Sequence, residues 1–361
     1  MGILKWARLV VLVGVSLAAT DVLAAQILKL FPRIASQLET KYWVYSPWFQ
    51  HTFYPYVDKN VPWSGGDYRI RTNALGFKDR AAREIPQTSN QYRILVIGDS
   101  FAEGQGLSWE DSAVGRIAAK LEPEGIEVLN AGTFHTTVPH YRNKVRHIVE
   151  RKGVAINHVV VFLDVSDIPE SLNFDIAPDG RIVFPNMRET RLKYFLKTNS
   201  IVMRTIAVLR DLAREPTKNT TPRLAVDVYD SDWTVNPEKL EKIGKPGIET
   251  CRKWLDDLRI FLGDRGIGLT LVVYPWATQL WHDDRDSIQR RTWKDWADGR
   301  KVQFIDLFPD YFGEDPAERR IERWYFPHDV HFNAAGSALM ATGFLARFRR
   351  DGGIAAPAGP R

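Results

Sequence analysis

Residues 92–101 read YRILVIGDSF, a short apolar run from Tyr92 to Gly98 that ends on Asp99 and Ser100. A run of this length closed by a turn suits a strand buried on both faces, as in a parallel sheet. The same unit recurs along the chain. Asp111 to Leu121 has helical spacing, Ile126 to Ala131 is strand-like, Val138 to Arg151 is helical, and His158 to Leu163 (HVVVFL) is again a buried strand. Further on, Gly247 to Leu262 is helical, Leu269 to Tyr274 (LTLVVY) a strand, Asp284 to Asp298 helical, Val302 to Ile305 a strand, and Ala334 to Arg349 a closing helix. Five strands alternating with helices predict an α/β fold, a doubly wound parallel five-stranded sheet flanked by helices.

Between the third strand and the Gly247 helix lie about eighty residues, too many for an ordinary connection, so an α+β insertion is expected at about 170–245. It opens with a hairpin signal, Pro178-Asp179-Gly180 between β-prone residues, and continues with a helical pattern from Arg191 to Leu212 and a loop from Glu215 to Pro222. The main domain is placed at 92–350. Residues 31–91 are expected to wrap around it: Tyr42 to Trp63, crowded with aromatics and prolines, shows neither helical nor strand periodicity, and Tyr68 to Phe77 (YRIRTNALGF) reaches the turn residues Asn73 and Gly76. The Gly/Ala/Pro-rich tail, 351–361, is expected to be disordered.

The bulk composition excludes several classes. Hydrophobic residues at 44% and charged residues at 26% describe a globular chain with a sizeable core. The net charge of +5, from 49 Lys and Arg against 44 Asp and Glu, contains no long block of one sign, so nucleic acid is not an expected partner. The richest basic stretch, with Arg142, Lys144, Arg146, Arg151 and Lys152 at helical spacing, reads as a solvated helix face. Twelve Trp and 12 Tyr give a hint of carbohydrate or polymer surfaces. Cys251 is the sole cysteine, which excludes an intrachain disulfide, and it reads as an inert thiol in a helix. At the N-terminus, Lys5 and Arg8 precede an apolar run from Leu9 to Ala19, the order of an export signal. Val22 and Ala24 fit a cleavage site, yet the apolar stretch resumes through Leu30, which favours an uncleaved N-terminal membrane helix at 1–30. Positive charge ahead of it would leave the rest of the chain on the extracytoplasmic, periplasmic side, tethered to the inner membrane.

Ligands of open parallel sheets bind outside the carboxyl ends of the strands. Those positions hold Gly98-Asp99-Ser100, then Asn130-Ala131-Gly132, then Asp164-Val165-Ser166-Asp167, while His328-Asp329-Val330-His331 lies just ahead of the last helix. A serine hydroxyl becomes a useful nucleophile when a base takes its proton and a third group fixes the base, and Ser100, His331 and Asp329 supply those three types. Competing uses exist for some of these residues. His328, Asp329 and His331 are also metal-ligand types, although no second ligand cluster accompanies them, and Asp164 with Asp167 would suit an acid/base carboxylate pair. His135, beside Gly132, is a candidate for lining the pocket.

Gly98-Asp99-Ser100-Phe101 after a buried strand, Gly132 after the second strand, and an Asp/His pair before the last helix resemble the ordered sequence blocks of the SGNH (GDSL-like) hydrolase superfamily, from roughly Tyr68 to Arg349. The segments RTNALGF, DVSDI and VVYPWATQL are similar to those of membrane-anchored bacterial members related to polysaccharide O-acyl esterases and acetyltransferases. The resemblance implies a flavodoxin-like sheet, Ser100 as nucleophile, His331 as base and Asp329 as its orienter. It also implies oxyanion donors at the N–H groups of Ser100 and Gly132; Ser166 is a further oxyanion candidate, Asp99, Asp167 and His328 are candidate pocket residues, and no cofactor or metal is expected. Two positions depart from the family pattern: Ser166 stands where an Asn is usual, and the Asp lies two rather than three residues before the His, the three-residue position being His328. The expected function is a serine esterase acting on O-acyl esters of an envelope or exopolysaccharide glycan. An O-acyltransferase with the same site, or an idle glycan-binding or assembly subunit with the same fold, stand as alternatives.

Overall fold

The computed structural model describes residues 42–63, 66–183 and 230–350, with isolated positions between 8 and 26 and at 200 and 202. The expected membrane helix at 1–30, the helical pattern from Arg191 to Leu212, the Glu215 to Pro222 loop and the tail at 351–361 lie wholly or largely outside the described residues. Among those described, no helix is long and apolar enough to cross a membrane.

The chain divides into two compact units, Met1–Tyr42 with Met187–Thr221, and Trp43–Asn186 with Pro222–Arg361. The middle of the expected insertion therefore groups with the N-terminal segment. In that first unit the Asp21 carboxylate accepts hydrogen bonds from the Ser200 hydroxyl at 2.9 Å and the Val202 N–H at 3.0 Å.

The second unit begins with two antiparallel pairs, β1 (Trp43–Ser46) with β2 (Gln50–Phe53) and β3 (Asp58–Trp63) with β4 (Gly66–Arg71). This corrects the reading of Tyr42 to Trp63 as aperiodic: strands of four to six residues are too short to show alternation beside their own turns. The central sheet follows, with β5 (Tyr92–Gly98), β6 (Ile126–Asn130), β7 (His158–Leu163), then a small hairpin of β8 (Asp175–Ile176) and β9 (Ile182–Val183), then β10 (Gly268–Val273) and β11 (Gln303–Asp306). The hairpin falls where Pro178-Asp179-Gly180 announces it.

The sheet order is β11-β10-β7-β5-β6, and all its pairs are parallel. From β5 the chain steps one way to β6 and then back past β5 to β7. Right-handed crossovers therefore put their helices on opposite faces. Consistently, helix Ala113–Leu121 packs with Ala334–Arg350, and Val138–Arg146 with Lys245–Gly263. Strands β6 and β7 are buried at every position, which is why they read as continuous apolar runs. The reversal of strand order puts a crevice at the carboxyl end of β5, next to Ser100.

Candidate active site

Ser100 begins a one-turn helix, Ser100–Glu103, directly after β5. Two residues force the turn. A Cβ at Gly98 would lie 2.7 Å from Ala102 Cβ and 2.8 Å from the Phe162 carbonyl oxygen, so the strand can press this closely on the helix only without a side chain there. The Asp99 carboxylate caps the helix by accepting from the Phe101 N–H at 2.9 Å, and its other oxygen lies 3.5 Å from Ser100 Oγ.

His331 arrives from 231 positions away, on the loop before helix Ala334–Arg350. Its Nε2 lies 2.8 Å from Ser100 Oγ and its Nδ1 2.6 Å from Asp329 Oδ1, which also accepts the His331 backbone N–H at 3.0 Å. With Nδ1–H donating to Asp329, the Nε2 lone pair faces the serine O–H. His331 and Asp329 side chains are only 12% and 14% exposed, so little water competes for these bonds. His328 is exposed at φ 59°, and it is Asp329 that meets the imidazole. Among the described residues no group of three His, Cys, Asp or Glu side chains is disposed to hold a metal ion.

The imidazole is clamped by aromatic rings that sequence reasoning missed. Phe101 lies 5.2 Å from it, tilted, and Trp63 from β3 meets it edge-on at 5.6 Å. A cavity of about 10 Å³, roughly one water in size, opens beside the pair against Leu107, Phe332 and Met340. Behind the turn, the Lys78 ammonium is buried and donates to the carbonyls of Gly104 at 2.7 Å and Leu107 at 2.5 Å, where the short helix ends. Burial pushes this amine down to about 8, against the pull of Glu103. Glu103 itself accepts the Phe134 N–H at 2.8 Å, and burial raises its carboxyl. Neither residue follows an apolar period, so only the turn chemistry of Asn73, whose amide oxygen accepts from Leu75 and Phe77, pointed toward this loop.

The other expected residues are placed as follows. Gly132 sits against the serine helix, where a Cβ would come within 2.7 Å of Glu103 N, but its N–H donates to Asn130 Oδ1 at 3.0 Å. That expected oxyanion donor is thus engaged within the protein. The backbone N–H of Ser166 donates to Asp164 at 2.8 Å, and nothing links its hydroxyl to Ser100. Asp164 and Asp167 are fully buried: Asp164 accepts from the Trp276 indole at 2.7 Å, and Asp167 from the Tyr141 hydroxyl at 2.7 Å. They act as internal struts, closed to a substrate as an acid/base pair. Burial, then the carboxylates of Asp164 and Asp167, push the Asp99 carboxyl well above its ordinary range. His135 is exposed, edge-on to Phe134 at 5.6 Å. Cys251 is buried against the Ser171 hydroxyl at 3.1 Å, and burial pushes its thiol up, as befits an inert group.

A parallel α/β sheet with serine, imidazole and carboxylate in file at its carboxyl edge has the arrangement used by serine hydrolases. No protein-family model matches the sequence, and no curated protein matches it. Among solved structures, the chain is similar to an α/β hydrolase from the metagenome of Lake Arreo (14% identity, TM-score 0.40, covering 72% of this chain and 96% of that one). It is also similar to a catalytic mutant of Axe2, an acetylxylan esterase from Geobacillus stearothermophilus (16%, 0.41, 73% and 96%), and to the psychrotrophic esterase EstA from a Pseudoalteromonas species (11%, 0.39, 73% and 100%). Identities and scores this low leave the chemistry to be read from the side chains themselves.

Proposed function

We propose that the protein is a serine esterase that works through a covalent acyl-enzyme. The observation that carries this reading is the line Ser100 Oγ, His331 Nε2, His331 Nδ1, Asp329 Oδ1, with successive contacts of 2.8 and 2.6 Å. His331 takes the proton as Ser100 Oγ bonds to the ester carbonyl carbon. The imidazolium, held by Asp329, returns the proton to the departing alcohol. Water, activated by the same imidazole, then releases the acid and frees Ser100. The Ser100 N–H stands at the start of its helix, where backbone N–H groups lack intrahelical partners, and is the natural first donor to the oxyanion. Gly132 would join it only by giving up Asn130.

The substrate class we favour is an O-acylated glycan outside the cytoplasm. Its support is the charged-then-apolar order of the N-terminus, the exposure of Leu12, Val15, Val22 and Leu23 there, and the richness in tryptophan. One observation favours the idle-subunit alternative: the bond from Gly132 N–H to Asn130 occupies an expected oxyanion donor. A fluorophosphonate probe separates the two. Labelling of the wild type, lost in Ser100→Ala, supports the esterase; no labelling beside a labelled control hydrolase refutes it. Release of free acid from acetylated but not deacetylated polysaccharide tests the substrate class.

A further inference from the structure

Two features of the sequence are left over once the serine site is built: the abundance of tryptophan and the basic stretch around Arg142 to Lys152. They meet in a groove of about 420 Å³ that contains none of the serine-site residues. One side is helix Val138–Arg146 with its π-helical continuation His147–Arg151, a widened turn often found at functional sites. The β1–β2 turn brings Trp48, the β8–β9 turn brings Gly180, and helix Lys245–Gly263 brings Trp254. Asn143 ties the two turns together, its amide donating to the carbonyls of Trp48 at 2.7 Å and Gly180 at 2.9 Å.

Most charges lining the groove are already matched. Arg142 pairs with Asp257 at 2.5 Å, Arg146 with Glu150 at 3.2 Å, and Asp179 with Arg181 at 2.6 Å. Arg151 has no acidic partner among the described residues. Its guanidinium lies 4.0 Å over the Trp48 ring, which fixes the plane of the fork and leaves its N–H groups open. Trp254, a residue only 8% exposed, presents its accessible edge to the groove as a second indole.

One open guanidinium suits one carboxylate, whereas a nucleic-acid backbone would need a row of open cations. Two indoles among polar atoms suit a ring that carries both C–H faces and hydroxyls. We propose that this groove binds a uronic acid unit of an acidic glycan, with Arg151 gripping the carboxylate and the indoles of Trp48 and Trp254 lining the place of the sugar ring. Nothing in this site uses Ser100 or His331, so it stands or falls apart from the esterase reading.

The test titrates the full-length protein with tetragalacturonate, with neutral xylotetraose and with sodium acetate, following tryptophan fluorescence and heat. Tetragalacturonate should bind saturably, and Arg151→Gln should weaken it about tenfold or more, with Arg151→Lys recovering only part. Hydrolysis of p-nitrophenyl acetate should be unchanged in both variants. Xylotetraose and acetate should not saturate over the same range. The proposal is overturned if tetragalacturonate fails to bind, if Arg151→Gln binds it as tightly as the wild type, or if xylotetraose binds equally well.

Discussion

Replacing Asp329 by Asn probes the site at its most specific point. The carboxylate takes two bonds from one residue, the His331 ring N–H at 2.6 Å and the backbone N–H at 3.0 Å, and both side chains are nearly sheltered from water. An amide of the same shape can keep the backbone bond. It can equally turn its NH₂ toward Nδ1, which moves the ring proton to Nε2 and points a donor at Ser100 where a lone pair is needed. In serine triads this wrong-tautomer effect costs about four decades of kcat, and at about 1.36 kcal/mol per decade a loss of 10³ to 10⁴ here means about 4 to 5.5 kcal/mol of transition-state stabilisation. Turnover of p-nitrophenyl acetate and the rate of fluorophosphonate labelling should fall together, while thermal unfolding stays close to that of the wild type. If Asp329→Asn keeps more than about a tenth of wild-type kcat, the carboxylate does not set the tautomer and the orienting role given to it is refuted.

Other substitutions test the surroundings. Gly132→Ala puts a Cβ 2.7 Å from Glu103 N and 2.8 Å from Ala102 C, both backbone atoms of the serine helix; a loss of about 1–3 kcal/mol in unfolding free energy with a lower kcat is expected, and an unperturbed variant would show that the helix can yield. Met340→Ala widens the water-sized cavity beside Ser100 and should raise the ratio of p-nitrophenyl butyrate to acetate turnover; an unchanged ratio would separate that cavity from acyl recognition. Lys144 is buried, donates to the Thr133 hydroxyl at 2.6 Å, and has its amine pushed by burial from 10.5 down to about 7. Between those values the unfolded chain holds more protons at this position than the native state, so wild-type stability should rise with pH across that window. Lys144→Met removes this dependence: in urea unfolding its advantage over the wild type should be largest at pH 7 and shrink toward pH 10, and a gap constant with pH would contradict the buried-amine account.

The parallel sheet was legible because strands covered on both faces leave uninterrupted apolar runs, as in β5, β6 and β7. Ser100 and His331 were legible because strand ends and the approach to the last helix are where such a sheet gathers side chains. The ambiguity between His328 and Asp329 needed coordinates, since a left-handed residue at 328 turns the loop and spacing alone does not reveal which side chain faces the ring. Trp63 and Lys78 were hidden for a different reason. Their neighbours lie 268 and 26 positions away, in elements to which short hairpins carry them, and a buried lysine looks like a surface one in a sequence. The engagement of Gly132 by Asn130 was equally invisible, being a side-chain choice made after the backbone is in place.

Lys78 also decides where this domain starts. Residues 72–78 double back through a bridge between Thr72 and Lys78, and Lys78 pairs in turn with Asn130 at the end of β6. A gene trimmed to begin at Tyr92, as the first sheet strand would suggest, would encode a serine turn whose Gly104 and Leu107 oxygens have lost their shared cation. The stretch from Thr72 to Lys78 is therefore inseparable from the serine turn it props, and any chimera or trimmed version of this scaffold has to inherit both.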